Sequence, residues 1–89
     1  MQKGEEMGKQ EEIFNAVKEH LEGRGLDPEK IVIGADLLRD LDLDSLDTME
    51  LTLGMEERFG IEIPDTELED LVTIEDAVAL IERKVAVTA

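Results

Sequence analysis

The sequence predicts an all-α protein: a small four-helix bundle with three longer helices, one short helix and a long loop between the first and second helices. Apolar residues recur at the spacing of a helix face in three separate segments, and no strand–helix–strand pattern appears. Phe14 and Phe59 are the only aromatic residues, so the core must be aliphatic. A chain of 89 residues is long enough for one domain of this kind.

The first helix is predicted from about Lys9 to Glu22, and Gly23 and Gly25 should end it. Its apolar face is formed by Ile13, Phe14, Val17 and Leu21. Residues 1–8 are polar, with two glycines, and we expect them to form a flexible leader. The folded domain should then cover residues 9–86, with a short tail at residues 87–89.

The connection that follows is long and contains several apolar residues. Asp27-Pro28 resembles a helix cap followed by proline in a first turn, which favours a short helical turn there. A lone strand would lack a partner in so short a chain, so we expect the apolar residues of this loop to dock into the core. They are Ile31, Val32, Ile33, Leu37, Leu38 and Leu41.

The second helix should begin at Asp44 or Ser45 and end at Gly60. Its predicted apolar stripe consists of Leu46, Met49, Leu53, Met55 and Phe59. Gly54 lies inside this helix, where glycine costs roughly 1 kcal/mol relative to alanine. This position therefore indicates either a close helix contact or room beneath the helix.

Two further helices are predicted after a short extended link. Residues 66–69 resemble a capping box for a short third helix that ends near Leu71. Thr73 and Asp76 resemble a second capping box, which opens the last helix. The inward face of that helix should be formed by Ile74, Ala77, Val78 and Ile81.

The net charge of −15 is concentrated in the second half of the chain. Residues 36–76 contain 15 acidic and two basic side chains, which account for 13 of the 15 net negative charges. Such a field repels nucleic acid and anionic membrane surfaces, whereas it attracts basic patches on other proteins. No apolar segment approaches the ~20 residues of a membrane span, and the N-terminus lacks the apolar run of a signal peptide. We therefore expect a cytoplasmic monomer that binds proteins.

Ser45, the only serine, follows a polar loop and is flanked by carboxylates. Without any family comparison, Ser45 or Asp44 is simply a helix N-cap, because both residue types are preferred there. A calcium loop fits Asp40, Asp42 and Asp44, but it requires glycine where Ser45 stands and glutamate where Leu51 stands. The sequence thus predicts no metal site.

Self-contained hydrolysis by Ser45 is also disfavoured. A serine nucleophile needs a base, and the only histidine, His20, lies near the end of the first helix. No Gly-x-Ser-x-Gly elbow is present, and the chain has no cysteine for a thiolate nucleophile or zinc site. We expect no catalytic activity of the chain's own.

Two segments are similar to the acyl carrier protein family. Residues 44–51, DSLDTMEL, resemble the family's Asp-Ser-Leu attachment motif and the start of the helix after it. Residues 56–65, EERFGIEIPD, are similar to the family's second-helix exit and Ile-Pro turn. The resemblance runs from Leu37 to Ile81 and implies that Ser45, between Asp44 and Leu46, is the attachment point of 4′-phosphopantetheine.

What the resemblance implies is a carrier of acyl groups. A phosphopantetheinyl transferase would load the arm from coenzyme A, and the arm's thiol would hold acyl groups as thioesters for fatty-acid, polyketide or specialised lipid enzymes. Basic patches of these partners would meet a recognition face formed by Asp47, Glu50, Glu56 and Glu57. An acyl cleft would be lined by Met49, Met55, Ile63, Leu71 and Ala77.

The chain departs from the family pattern just before Ser45. Many members have Leu-Gly-x before Asp-Ser-Leu, whereas here Leu41 is followed by Asp42-Leu43. Two alternatives stay open: a peptidyl or aminoacyl carrier, whose usual Gly-Gly-x-Ser context is missing here, and a carrier-like interaction module without the arm.

Overall fold

The computed structural model describes the backbone of residues 4–88 and the side chains of residues 9–86. Four α-helices follow one another along the chain, with a 3-10 turn at Pro28–Lys30 between the first two. They are α1 (Gly4–Gly23), α2 (Ser45–Phe59), α3 (Asp65–Leu68) and α4 (Ile74–Thr88). Among residues 4–88 no β-strand is formed, so the predicted all-α class, with three longer helices and one short, is confirmed.

The first helix begins at Gly4, five residues before its predicted start. Gly8 lies inside this helix, although glycine in a helix interior costs about 1 kcal/mol relative to alanine. At the other end, residues 87 and 88 belong to α4, whereas residues 1–3 and 89 lie outside the described part of the chain. The limits of the domain at residues 9 and 86 stay a prediction.

Gly25 ends α1 as predicted, through a Schellman motif, whereas Gly23 is the last residue of the helix. Gly25 has φ +97°, a left-handed conformation that glycine adopts without steric cost. Its N–H donates to the Glu22 carbonyl at 2.9 Å, and the Leu26 N–H donates to the Leu21 carbonyl at 3.2 Å. Leu26 packs partly buried against the core, which fixes the backbone of Arg24 at the helix end.

The long loop docks into the core at fewer points than expected. Ile31, Leu37 and Leu41 are buried, but Val32, Ile33 and Leu38 are exposed by 52%, 47% and 64%. The predicted helical turn is confirmed, since the Asp27 side chain accepts a hydrogen bond from the Glu29 N–H at 3.0 Å.

A short antiparallel contact joins this loop to the segment before α4. Asp36 and Thr73 form an isolated β-bridge, flanked by a 2.8 Å bond from Leu37 N–H to the Val72 carbonyl. The loop thus has an extended partner after all, although the pairing stops after a single bridge. This bridge holds the loop against the start of α4. The part of the loop that leads into α2 therefore lies close to the connection between α3 and α4.

The predicted ends of α2 are correct, and two residues of its predicted apolar stripe, Met55 and Phe59, pack in the core, but the other three do not. Gly60 closes the helix with φ +67°. Leu46 and Leu53 are exposed by 60% and 53%, and Met49 by 38%. The residues that α2 buries are Leu51, Thr52 and Met55, with Phe59 packed partly buried against the core. The helix therefore turns one apolar stripe inward and a second one toward solvent.

The short third helix differs from its prediction, while the last helix follows its own. Helix α3 ends at Leu68 rather than near Leu71, and its N-cap is Pro64, without a side-chain capping bond. Before α4, the Thr73 hydroxyl accepts from the Asp76 N–H at 3.2 Å, and the Asp76 carboxylate accepts from the Thr73 N–H at 3.1 Å. All four predicted inward residues of α4 are buried: Ile74, Ala77, Val78 and Ile81.

Helix α1 packs against α2 and α4 around an aliphatic core, and His20 of α1 lies against Gly54 of α2. A Cβ atom at that position would lie 3.0 Å from Nδ1 and 3.1 Å from Cε1 of His20. Glycine thus makes room for the imidazole between the helices. His20 Nε2 is buried without a hydrogen-bond partner among the described residues.

We expect Gly54→Ala to be nearly neutral in the wild-type background and stabilising, by about 1 kcal/mol, once His20 is replaced by alanine. Alanine has a higher helix propensity than glycine, but its Cβ would crowd the His20 ring. This crowding offsets the gain only while the ring is present. Urea denaturation of the two single variants, the double variant and the wild type measures the coupling. Additive effects, within about 0.3 kcal/mol, would contradict the contact.

Stability should also depend on the protonation of His20. Burial, with the nearby Arg24 guanidinium, lowers the pKa of His20 below its ordinary 6.5, while Glu50 acts in the opposite direction. The folded state then binds the proton less readily than the unfolded state, so its stability is complete above pH 6.5 and declines as the pH falls through that value. Between about pH 7 and about pH 5.5, His20→Gln should lose less stability than the wild type. Equal losses would contradict this assignment.

Asp42 adopts a left-handed conformation, with φ +59°, at the position where many family members carry glycine. Asp42→Gly and Asp42→Ala remove the same charge, but only glycine adopts this φ freely. We expect the glycine variant to be more stable than the alanine variant by about 1 kcal/mol, as measured by thermal or urea unfolding. Equal stabilities would show that the loop rearranges.

Candidate functional site

Ser45 is the first residue of α2, and the N-cap before it is Asp44. The Asp44 carboxylate accepts a hydrogen bond from the Asp47 N–H at 2.9 Å, and the Asp47 carboxylate accepts from the Asp44 N–H at 3.3 Å. These reciprocal bonds form a complete capping box. The capping role therefore belongs to Asp44, and the hydroxyl of Ser45 is not needed for it.

The Ser45 side chain is exposed, and no histidine lies beside it among the described residues. Within residues 9–86, no side chain hydrogen-bonds its hydroxyl. His20 contacts α2 at Gly54. At a rise of 1.5 Å per residue, Gly54 lies about 13 Å from Ser45 along the helix axis. The only histidine of the chain is therefore not placed to act as a base for this hydroxyl.

The carboxylate before Ser45 is held in its ionised form. The hydrogen bond from the Asp47 backbone N–H, with further contributions from the Leu46 and Asp44 backbone N–H groups, lowers the pKa of Asp44 below its ordinary value. The N-terminal end of α2 favours the same negative charge. Ser45 thus lies next to a permanent anion at neutral pH.

A groove of about 630 Å³ opens beside Ser45, between the start of α2 and the α3–α4 region. We call it the Ser45 groove. Its apolar lining consists of Leu37, Leu38, Leu43, Met49, Leu68, Leu71 and Val72. Its polar lining consists of Asp36, Arg39, Asp44, Ser45, Thr48, Asp65 and Glu69.

Two of the five residues expected to line an acyl cleft lie on this groove, Met49 and Leu71. Met55, Ile63 and Ala77 are instead buried, by more than nine tenths, and are not part of its lining. Sequence reasoning missed five apolar wall residues: Leu37, Leu38 and Leu43 of the long loop, and Leu68 and Val72 of the α3–α4 region. In the sequence, the loop residues among them could be recognised only as apolar residues within a loop. That pattern does not distinguish residues that pack into the core from residues that line a groove.

The four carboxylates expected on the recognition face have different surroundings. Asp47 and Glu50 both form ion pairs with Arg24, which lies just after α1. The Glu56 carboxylate accepts a 2.6 Å hydrogen bond from the Ile63 N–H and so closes the α2–α3 link. Glu57 is exposed. Sequence reasoning missed Arg24, because nothing local indicates which carboxylates, more than twenty residues away, it reaches.

Among the residues that the structure describes, no group of His, Cys, Asp or Glu side chains is arranged to hold a metal ion. Asp40 and Asp44, the first and last members of the calcium pattern, are engaged by backbone N–H groups. The Asp40 carboxylate accepts from the Asp36 N–H at 2.8 Å, and Asp44 caps α2. In the same described part of the chain, no helix is both long enough and apolar enough to cross a membrane.

Residues 15–81 match the family model of the phosphopantetheine attachment site. Acyl carrier proteins from two strains of Rhodopseudomonas palustris, BisB18 and HaA2, are each 47% identical over 73 residues, which cover 82% of this chain and 89% of the relative. The acyl carrier protein of Thermosynechococcus vestitus is 46% identical over 78 residues, covering 86% of this chain and 96% of the relative.

The prosthetic group of this family is 4′-phosphopantetheine, and the residues present fit it. An exposed serine hydroxyl, unused by the helix cap, stands at the mouth of a groove with apolar walls. These matches cover most of the chain and agree with its helical fold, and the chain therefore belongs to the acyl carrier protein family.

Proposed function

We propose that Ser45 carries the 4′-phosphopantetheine arm and that the chain presents acyl groups to fatty-acid, polyketide or specialised lipid enzymes in the cytoplasm. The observation that carries this proposal is the division of roles at the start of α2. Asp44 caps the helix, which leaves the exposed Ser45 hydroxyl available to another enzyme.

In this proposal the chain is a substrate during loading and a carrier afterwards. The Ser45 oxygen forms a phosphodiester bond with the phosphopantetheine phosphate of coenzyme A, and the nucleoside bisphosphate leaves. The hydroxyl proton passes to a base of the transferase, because His20, the only histidine of the chain, lies at Gly54 and not at Ser45. Once attached, the arm supplies a thiol that holds acyl groups as thioesters.

The Ser45 groove supports a further role for the chain's own residues. Its wall of leucines, a valine and a methionine suits an apolar chain, and the flexible thioether of Met49 allows the wall to adapt. Because Met55, Ile63 and Ala77 lie deeper, they would touch an acyl chain only if the core opened. We assign Met49 and Leu71 to acyl contact at the surface.

The exposed carboxylates of α2 would recognise basic patches on the transferase and on acyl-handling enzymes. Glu50 and Glu57 are exposed, and Asp47 lies two residues after Ser45 on the same helix. Exposed charges of this kind accelerate encounters and are screened by salt, so the complexes should be transient. Leu46 and Leu38, both more than half exposed near the same site, would add apolar contact.

Incubation of the apo protein with coenzyme A and a broad-specificity phosphopantetheinyl transferase should add the mass of one arm. Ser45→Ala should abolish the gain. Thr48→Ala is the matched control, because its hydroxyl lines the same groove one turn later and donates to the Asp44 carbonyl at 3.1 Å. Intact-protein mass spectrometry measures all three proteins.

The Thr48→Ala variant should be loaded like the wild type. Absence of a mass gain in the wild type would indicate an interaction module without the arm. A gain that survives in Ser45→Ala would place the attachment elsewhere. Loading of the holo protein with acyl and with aminoacyl donors then separates an acyl carrier from a peptidyl carrier.

A further inference from the structure

Both terminal nitrogens of the Arg24 guanidinium group bind carboxylates on the acidic face of α2. Nη2 donates to Oδ1 of Asp47, and Nη1 donates to Oε1 of Glu50. The two carboxylates are three residues apart on one helix and so share a face. A single guanidinium from the neighbouring helix thus occupies an oxygen of each.

The end of α1 fixes the backbone position of Arg24, and its side chain extends from there to α2. Arg24 lies at the C-cap of α1, within the Schellman motif closed by Gly25, and its own N–H donates to the Leu21 carbonyl at 3.0 Å. The contact site on α2 is its first two turns, immediately after Ser45. Arg24 therefore lies against the part of α2 that borders the proposed attachment point.

The same carboxylates are the ones that a basic partner would use. An arginine of a partner would approach Asp47 and Glu50 with the same forked donor geometry that Arg24 already provides. Both oxygens of Asp47 are engaged, since Oδ1 accepts from Arg24 and Oδ2 accepts from the Asp44 N–H. An arginine of a partner would therefore compete with Arg24 for these oxygens, or bind the other oxygen of Glu50.

We propose that Arg24 is an internal competitor for the recognition face and sets how strongly basic partners bind beside Ser45. This inference rests on the proposed function, because it concerns the same carboxylates. Side-chain exposures of 34% for Arg24, 25% for Asp47 and 45% for Glu50 place the cluster in partial contact with solvent. Such pairs are weak enough to exchange partners, so Arg24 tunes binding and does not block it.

Arg24→Ala should lower the KM of the apo protein for a broad-specificity phosphopantetheinyl transferase by about two- to fivefold, with kcat unchanged. The KM should also rise more steeply with sodium chloride, because the two carboxylates that Arg24 occupies become available to the partner. Arg24→Lys, which keeps a cation, should stay closer to the wild type. Arg83→Ala, on α4, is the control that removes one charge elsewhere.

A second measurement does not depend on the arm. The dissociation constant of a hexa-arginine peptide, followed by NMR shifts of the α2 amides, should decrease by a similar factor in Arg24→Ala and less in Arg83→Ala. An unchanged or weaker affinity in Arg24→Ala overturns the inference and, with a lower melting temperature, leaves Arg24 as a structural tie between α1 and α2. Failure of Ser45 to be loaded instead overturns the proposed function, and the peptide titration still decides the role of Arg24.

Discussion

The capping box at the start of α2 is the interaction on which the functional end of the molecule depends. A helix begins with backbone N–H groups that lack partners inside the helix, and one of them must be satisfied at the cap. Asp44 satisfies the Asp47 N–H, and Asp47 returns the bond. Because two aspartates do this work, the serine between them stays chemically available. The same bonds fix where α2 starts and hence which residues face the groove.

The long loop gives this helix start its position in the fold. Leu37, Leu41 and Leu43 anchor the loop in the core, and the bridge between Asp36 and Thr73 ties it to the start of α4. The Ser45 groove forms where these anchored loop residues meet α2 and the α3–α4 region. A loop without these contacts would leave Ser45 at the end of a helix with no groove beside it.

Much of this could be predicted from local chemistry, because a helix end is decided by a few neighbouring residues. Gly25, Gly60 and the Thr73–Asp76 pair marked their helix ends correctly. The buried side of α2 could not be predicted in this way. Leu46, Met49 and Leu53 have helical spacing, and so do Leu51 and Met55, and periodicity alone does not tell which stripe meets α1 and α4. Packing against the other helices buries Leu51 and Met55, and it leaves the stripe that begins at Leu46, next to Ser45, exposed.

The acidic face is the feature for which sequence and structure differ most. From the sequence, the four carboxylates of α2 were predicted to form one recognition surface. In the structure, each of them has different contacts. Asp47 caps the helix and pairs with Arg24, and Glu56 holds the chain after Gly60 through the Ile63 N–H. Substituting either residue would alter the fold locally as well as the charge. Glu57 is exposed, so its substitution would test the proposed partner recognition with the least disturbance of the helix that carries Ser45.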